Sequence, residues 1–588
     1  MHRDTPKTSS VAEQPRTAVG EGFAPGPAWW DGLAVSAIVL VVIVAFLPAL
    51  DGAFLNWDDD RNFLENESFR GFGLEEARWA WSTYHLGVWQ PLSWMLLGRQ
   101  WAWAGEEPAL YHVVSIVLHA LNCILLYRLI RRVLSLARAD SHEGADHAPR
   151  FGAFAVAALF AVHPLRVEAV AWISCQPYLP SSLFYLLGIL AYLRAAAPGG
   201  SAKRRIGWFA VTYCCYLIAV AFKAVAVSMP AVLLVLDAYP LRRLSGPSAG
   251  RLGRWGRVLI EKIPFAIVAV LVGWWAIGAK DFSASRAPPG DFDADARLAQ
   301  SAYAAFIYIV QSVWPASLSP YYRLPADVGL GGGKYLACAI AVVATAVVAI
   351  IARRRWPALP AAMAAYLLIL LPNIGLVQIS QQIAADRYAY LATIPLVVLA
   401  ADVVQRVWLR NWRRPRLQRA GLSAVLVVVL TIAVVATRRQ IGYWQDSEAL
   451  WRRVLSLDEE CAVAHCNLGE ALIRAGRSPE ASRHLSRAIE LEPDFSFAYS
   501  NFGALLCQAG RFQDAVRACL DALENSPALL GMDLARTHAI LGQAYAGLRE
   551  DDLAWEHTLK AKQLGFADAD RMLEYLRRFS PAPGSGRR

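Results

Sequence analysis

Three consecutive carboxylates, Asp58, Asp59 and Asp60, lie within Phe54-Leu-Asn-Trp-Asp-Asp-Asp-Arg61, the stretch of this chain richest in chemical possibility. They stand a few residues beyond a long apolar run, 33–50, so if that run crosses a bilayer the acids lie at its mouth. Carboxylates at a water–bilayer boundary can take a proton from an acceptor hydroxyl, hold a cation, or cap the next helix. Aspartate runs after a helix are commonly no more than capping or loop residues, so their companions along the chain must decide.

Those companions sit where other apolar segments begin or end. Tyr111-His112 opens one segment, with His119 and Asn122 on roughly the same helical face. His163-Pro164-Leu165-Arg166-Val167-Glu168 follows another, Lys223 lies between two more, and Gln378, Gln381 and Gln382 precede Asp386-Arg387-Tyr388. An ionised group at mid-bilayer costs about 2.5–3.5 kcal/mol on insertion scales, so one that is kept usually lines a cavity. Plain structural roles compete: His163 precedes a proline that disfavours helical geometry, Asp386 and Arg387 suit a local ion pair, and Lys223 suits snorkelling to the interface. These roles do not explain why every group falls on the same expected face as Asp58 and Asp59. Such convergence suits a phosphate-bearing donor and an acid–base reaction, with Arg and Lys neutralising the phosphate and a carboxylate taking the acceptor's proton.

Membrane helices must position these groups. With 588 residues, 56% of them hydrophobic, the chain is too long and too apolar for one soluble core. Apolar segments near 33–50, 110–130, 151–163, 178–195, 206–222, 225–239, 259–279, 335–352, 357–372, 388–405 and 419–437 predict eleven spans. The further segment 297–314 is expected as an interfacial or re-entrant helix. The formal charge of +10 comes from basic clusters in short loops, which is the positive-inside bias and not a nucleic-acid footprint. That bias puts the N-terminus in the cytoplasm, with residues 1–30 a disordered tail. It puts loop 51–107 outside, with ten acids against four bases. Trp79, Trp81, Trp89, Trp94, Trp101 and Trp103 in this loop are expected mostly as anchors at the headgroup level. Nine cysteines without metal spacing read as free thiols, and no metal site is expected.

The texture changes near residue 462. Ala481, Ala488 and Pro493 recur thirty-four residues later as Ala515, Ala522 and Pro527, and Asn467-Leu468-Gly469 recurs as Asn501-Phe502-Gly503, which is the tetratricopeptide signature. A third unit, with Leu541-Gly542, Tyr545, Ala554 and Ala561, is offset by a five-residue insertion. The predicted fold is therefore all-α: a transmembrane bundle over 31–440, then a solenoid over 441–588 with repeats at about 462–495, 496–529 and 535–568. Three such repeats expose a concave groove for an extended peptide or partner helix.

In their order, these motifs resemble the bacterial relatives of the transmembrane and tetratricopeptide-repeat O-mannosyltransferases. The stretches that carry the resemblance are Phe54 to Asp59 with Glu65-Asn66, Trp89-Gln90-Pro91-Leu92-Ser93-Trp94, Tyr111-His112 to Asn122, His163 to Trp172, Lys223, Met229-Pro230, Leu236-Asp237, Ala385-Asp386-Arg387-Tyr388 and Tyr443-Trp444. The resemblance implies a GT-C type glycosyltransferase in a bacterial inner membrane, with its repeats extracytoplasmic. It would move a sugar from a polyprenyl-phosphate donor to a protein hydroxyl, with inversion, without a metal and with no cofactor beyond that lipid-linked substrate. Carried onto this chain, it makes Asp58 or Asp59 the general base and Glu168 a supporting acid. Arg387, Lys223, His163 and Arg166 become candidates for the donor phosphate, with His112, Gln378, Asp386 and Tyr388 in support. The departures are Gln90 where a His is frequent, Ala224 where a Pro is frequent, and Ile173-Ser-Cys-Gln-Pro-Tyr178 where a charged run is common. A non-catalytic, membrane-anchored repeat scaffold is the alternative, and a transporter a weaker one because no inverted repeat appears in the hydrophobic pattern.

Overall fold

A computed structural model describes residues 28–138, 150–197, 199–244, 251–282, 293–325, 327–376, 382–410, 412–524, 532–566 and 568–579. The tail expected over 1–30 falls almost wholly outside the described residues, and Gln378 and Gln381 fall outside them too.

Each of the eleven expected spans meets a helix, but the helices are of three kinds. Seven are long and apolar enough to cross a membrane: Trp29–Asp51, Pro108–Ala137, Ile173–Ala195, Ala202–Phe222, Trp255–Trp275, Gly333–Ala352 and Pro415–Gly442. Two further candidates are bent pairs, Arg150–Ala161 with Pro164–Ala171 at 60° and Asp386–Ala392 with Ile394–Leu409 at 57°. The remaining two, Ala224–Ala238 and Ala358–Asn373, are shorter. A helix of at most 17 residues rises only about 25 Å, less than the hydrocarbon thickness of about 30 Å. By length and composition the described residues thus hold seven to nine crossings of a multi-pass membrane protein. The helix Ala294–Val313, expected at the interface, is not among them.

The helix Ala28–Phe46 packs against Ala109–Ala137, Arg150–Ala161 and Pro415–Gly442, burying Ile38, Val42 and Phe46 while Leu40 and Ile43 stay exposed. Val343, Ile351, Val425 and Ile432 are likewise exposed on outer helices, as apolar side chains facing lipid would be. Polar contacts from the helix Ala109–Ala137 to the helix Ala28–Phe46 and to the turn that follows it mark the two ends of the bundle. At one end Tyr127 Oη donates to Asp31 at 2.8 Å and Arg131 pairs with the same carboxylate. At the other, His112 Nε2 donates to the Gly52 carbonyl at 3.2 Å.

It is at this second end that helices break. Pro164 ends one, Lys223 separates Ala202–Phe222 from the turn Ala224–Ser228, and Thr393 parts the last bent pair. Each break frees carbonyls that lipid cannot hydrate, so side chains must reach them. His119 Nε2 serves Ala161 O at 2.9 Å, Thr437 serves Val162 O at 2.7 Å, Ser93 serves Phe222 O at 2.7 Å, and Arg166 serves Ala389 O at 3.0 Å. A small antiparallel pairing, Tyr322–Arg323 with Gln382–Ala384, supports the segment before Asp386.

Loop 51–107 forms two helices, Leu74–Ser82 and Pro91–Ala104, over an aromatic core of Phe63, Phe69, Trp94 and Tyr111. Its tryptophans therefore divide. Trp81 and Trp103 are exposed, but Trp94 is buried and Trp79 and Trp101 pack against the same core, because a layer this thin has few other large apolar side chains to bury.

Beyond the bundle, the paired helices Ala462–Arg474 and Ser478–Leu491 are repeated thirty-four residues on as Ser496–Gln508 and Phe512–Glu524, and again, offset, as Met532–Leu548 and Asp551–Gln563. Gly469, Gly503 and Gly542 lie where partner helices touch. A Cβ on Gly503 would stand 2.4 Å from Cys519 Sγ, and one on Gly469 2.7 Å from Leu485 Cγ. We expect Gly503→Ala to lower stability by about 1–3 kcal/mol, the usual cost of overpacking, read as a lower unfolding midpoint of the purified protein.

Candidate functional site

Loop 52–61 leaves the helix Trp29–Asp51 through the short turn Leu47–Asp51 and gives its three aspartates three different environments. Asp59 is fully buried. Its Oδ1 accepts the Ser174 amide at 2.9 Å and the Ser174 hydroxyl, while Oδ2 accepts the Leu55 amide at 3.0 Å. Burial outweighs these donors and raises its carboxyl to about 7. Asp60 turns the other way and pairs with Arg474 of the first repeat at 3.3 Å. Asp58 is half-buried and lines an open cleft. Its backbone sits at φ 68°, the left-handed region that a non-glycine residue seldom occupies and that is frequently found at functional sites. Burial raises its carboxyl above the ordinary range, opposed by the positive charges of Arg61, Arg387 and Lys223.

Two of those charges come from broken helices. Arg387, in the turn Asp386–Tyr388, grips Glu168 twice: its amide donates to Oε2 at 2.8 Å and its guanidinium pairs with Oε1. The guanidinium lies 5.5 Å from the Trp172 ring and 4.8 Å from the Tyr388 ring, distances suited to cation–π attraction. Lys223 Nζ donates to Gln90 Oε1 at 3.0 Å and stands 5.3 Å from the Tyr178 ring. Trp172 closes the circuit by donating from Nε1 to the Trp57 carbonyl at 3.0 Å, next to Asp58. The structure thus brings Asp58, Asp59, Glu168, Lys223, Arg387 and Tyr388 to one end of the bundle.

The other expected site residues sit in the supporting framework. His163 Nδ1 accepts the Leu165 amide at 3.2 Å, capping the turn after its own helix. Arg166 is buried, its guanidinium on Ala389 O, Tyr390 O and Thr393 Oγ1. His112 holds the base of the aspartate loop through Gly52 O. Asp386 Oδ1 accepts the Tyr322 hydroxyl at 2.7 Å. Gln378 lies outside the described residues. Conversely, Gln90, Trp172, Ser174 and Tyr178 touch the site without having been picked out as site residues. Gln90 and Ser174 are also two of the departures from the expected motif, and each fits its neighbour: Gln90 offers an acceptor to Lys223, and Ser174 offers two donors to Asp59.

The cleft holds about 2210 Å³ of space open to solvent, between the aspartate loop and the concave side of the repeats, with Asp58, Arg61, Glu470, Phe497, Asn501 and Arg536 among its walls. Among the described residues no group of three or more His, Cys, Asp or Glu is arranged to hold a metal.

The chain is 24% identical over 447 residues to the protein O-mannosyl-transferase Tmtc3 of Drosophila melanogaster, covering 65% of this chain and 46% of that protein. It is 28% identical over 214 residues to the protein O-mannosyl-transferase TMTC2 of Mus musculus, covering 34% and 23%. It is 31% identical over 163 residues to Tmtc1 of Drosophila melanogaster, covering 26% and 17%. No family model matches. The chain is a relative of these proteins, although it spans less than half the length of the curated relatives it matches.

The Glu168–Arg387 pair is the most fully buried ion pair of the site, so losing either partner alone should strand a charge. Glu168→Gln or Arg387→Gln is expected to cost about 3–5 kcal/mol, and the double variant to recover part of that loss. Thermal unfolding of the four proteins in one detergent checks this.

Proposed function

We propose that this chain is an integral-membrane glycosyltransferase of the GT-C type, which transfers a sugar from a polyprenyl-phosphate donor to a hydroxyl of a protein acceptor on the extracytoplasmic face of a bacterial inner membrane. The names of its relatives support the class of reaction, and one observation carries the assignment to this site. Asp58 lines the open cleft while Arg387 and Lys223 lie close enough to act on its charge.

In this reading the lipid-borne phosphate rests near Arg387 and Lys223, and the acceptor enters by the cleft, where the tetratricopeptide-like repeats hold it. Asp58 is the general base. Its neighbour Asp59 already accepts three hydrogen bonds and does not line the cleft. Asp58 takes the proton of the acceptor hydroxyl as that oxygen bonds to the anomeric carbon from the face opposite the phosphate. The bond from that carbon to the phosphate oxygen breaks, the electron pair leaves with the phosphate, and the configuration inverts. Arg387 and Lys223 meet the added negative charge, as pre-placed cations do for a developing anion. Glu168 holds Arg387 in place through two contacts. We assign no phosphate contact to Arg166 or His163, whose polar atoms hold the helix breaks.

The test is transfer in membranes or nanodiscs with a mannosyl polyprenyl phosphate and an acceptor peptide. Asp58→Asn is expected to slow transfer by about 10²- to 10⁴-fold, the usual contribution of a general base. Undiminished sugar occupancy from a correctly inserted Asp58→Asn protein removes the reading. It leaves the scaffold alternative if truncation after Arg438 abolishes the biological role.

The pH profile adds an independent expectation. A base acts only when ionised, and burial raises the Asp58 carboxyl. The rate should therefore fall on acidification through a limb lying above the ordinary carboxylate range, measured as kcat/KM against pH for the wild-type protein.

A further inference from the structure

Asp58 is presented to the cleft by a loop whose anchors are mostly in the helices that follow the bundle, and the residue that binds them most completely is Asn56. It is buried, two residues before Asp58, and each of its side-chain polar atoms is engaged. Trp451 Nε1 donates to its Oδ1 at 2.7 Å, while its Nδ2 donates to the Asn467 carbonyl at 2.8 Å and to Glu470 Oε2 at 3.3 Å. Its backbone amide donates to Ser447 Oγ at 2.9 Å. Trp451 and Ser447 belong to the helix Ser447–Leu455, and Asn467 and Glu470 to the first repeat helix, Ala462–Arg474.

Neighbouring loop residues repeat the pattern. The Ala53 amide donates to the Gln445 carbonyl at 2.8 Å, and the Trp57 ring meets the Trp451 ring edge-on at 5.2 Å. Asp60 pairs with Arg474, and Arg61 pairs at 2.6 Å with Asp533 of the helix Met532–Leu548. Asp59, through Ser174, and the Trp57 carbonyl, through Trp172, hold the loop to the bundle. With its flanks pinned to two bodies, Asp58 holds a left-handed backbone that an unrestrained aspartate would leave.

We infer that the helical repeats complete the active site, and that Asn56 and Trp451 are positioning residues which fix the Asp58 carboxylate for turnover without touching the acceptor. This rests on the function proposed above. It goes beyond a repeat groove that merely collects acceptors, because it ties the rate constant, not acceptor affinity, to contacts outside the membrane bundle.

The experiment uses the full chain in nanodiscs, with a mannosyl polyprenyl phosphate and a short acceptor peptide at varied concentration. The variants are Asn56→Ala, Trp451→Phe, which keeps an aromatic ring and removes the N–H donor along with part of the indole, and their double. Misplacement by an ångström can cost about a hundredfold in rate. We therefore expect kcat to fall by about tenfold or more in each single variant, with the acceptor KM within about twofold. The double should be little worse than Asn56→Ala, since both single changes break the same bond. Asn56→Asp, which keeps the acceptor for Trp451 but loses the donor to Asn467 and adds a charge beside Glu470, should not rescue. Trypsin should cut faster after Arg61 in Asn56→Ala than in the wild type, a readout independent of transfer.

Unchanged kcat in a variant whose loop has become sensitive to trypsin overturns the inference, because the anchor would then be structural only. A rise in KM with kcat intact overturns it as well, placing Asn56 in acceptor binding. A wild-type protein that transfers nothing would instead remove the proposed function and this inference with it. Active wild type beside an equally active Trp451→Phe removes the inference alone.

Discussion

A hydrophobic bundle can expose charged groups at one end only if the helices that carry them stop there, and in lipid every interrupted helix leaves carbonyls that must find a donor. That constraint organises this protein. The breaks at His163-Pro164, at Lys223 and around Thr393 occur at the same end of the bundle, and the freed carbonyls are met by His119, Thr437, Ser93 and Arg166. Each of these four side chains is far in sequence from the carbonyl it meets. The polar residues of the bundle therefore divide into those that repair backbone and those, such as Arg387 and Lys223, that the repaired breaks set free to project toward the loop. The buried Arg166 shows the cost of confusing the two. By type and motif it looks like a phosphate ligand, yet its contacts are those of a helix-break cap.

The adjacent aspartates divide work in a similar way. Backbone geometry forces successive side chains apart, so three acids in a row cannot share one environment. Asp59 is bonded to the bundle, Asp60 to the repeats, and Asp58 faces the space between. The strained φ at Asp58 follows from this, because the chain turns there to reach Ser174 and Arg474 within two residues. A triplet of acids at a membrane mouth is thus less a cluster of charge than a three-way joint: Asp58 and Asp60 both line the cleft, and Asp60 is held there by Arg474.

Much of this was legible along the chain. Apolar runs located all eleven helical segments, since lipid leaves their outer faces apolar, and the thirty-four-residue period located the repeat helices. Whether a segment spans was less legible, because bends of 60° and 57° depend on how neighbours satisfy the break. Among the site residues, Asp58, Glu168, Lys223 and Arg387 carry formal charge in apolar surroundings and so announce themselves. Gln90 and Ser174 are neutral, and only the three-dimensional proximity of Lys223 and Asp59 gives them meaning. Trp94 departs from the anchoring expected of most of these tryptophans for a related reason: aromatic residues near a membrane surface look alike in sequence whether they meet lipid or one another. The link from Asn56 to the first repeat bridges more than four hundred residues, and no local pattern could have disclosed it.

The charges also form a balance that bears on direction. The formal charges of Asp58 and Glu168 match those of Arg387 and Lys223, with the buried Asp59 beside them, and the phosphodiester of the proposed donor would add one negative charge. In the proposed transfer the base loses a charge as it takes the proton, and the leaving phosphate gains one, so the total stays constant while negative charge moves from the cleft wall toward the bundle. Burial makes that transfer easier at its origin, since a half-buried carboxylate opposed by solvent loss is a stronger base than one in water. The cations make it easier at its destination, because Arg387 keeps donors beyond the one committed to Glu168. Glu168 therefore need not weaken the proposed phosphate site by neutralising its arginine. One carboxylate holds both the amide and the guanidinium of Arg387 before substrate arrives, and a cation that does not have to reorganise stabilises a developing anion better than a mobile one of the same charge.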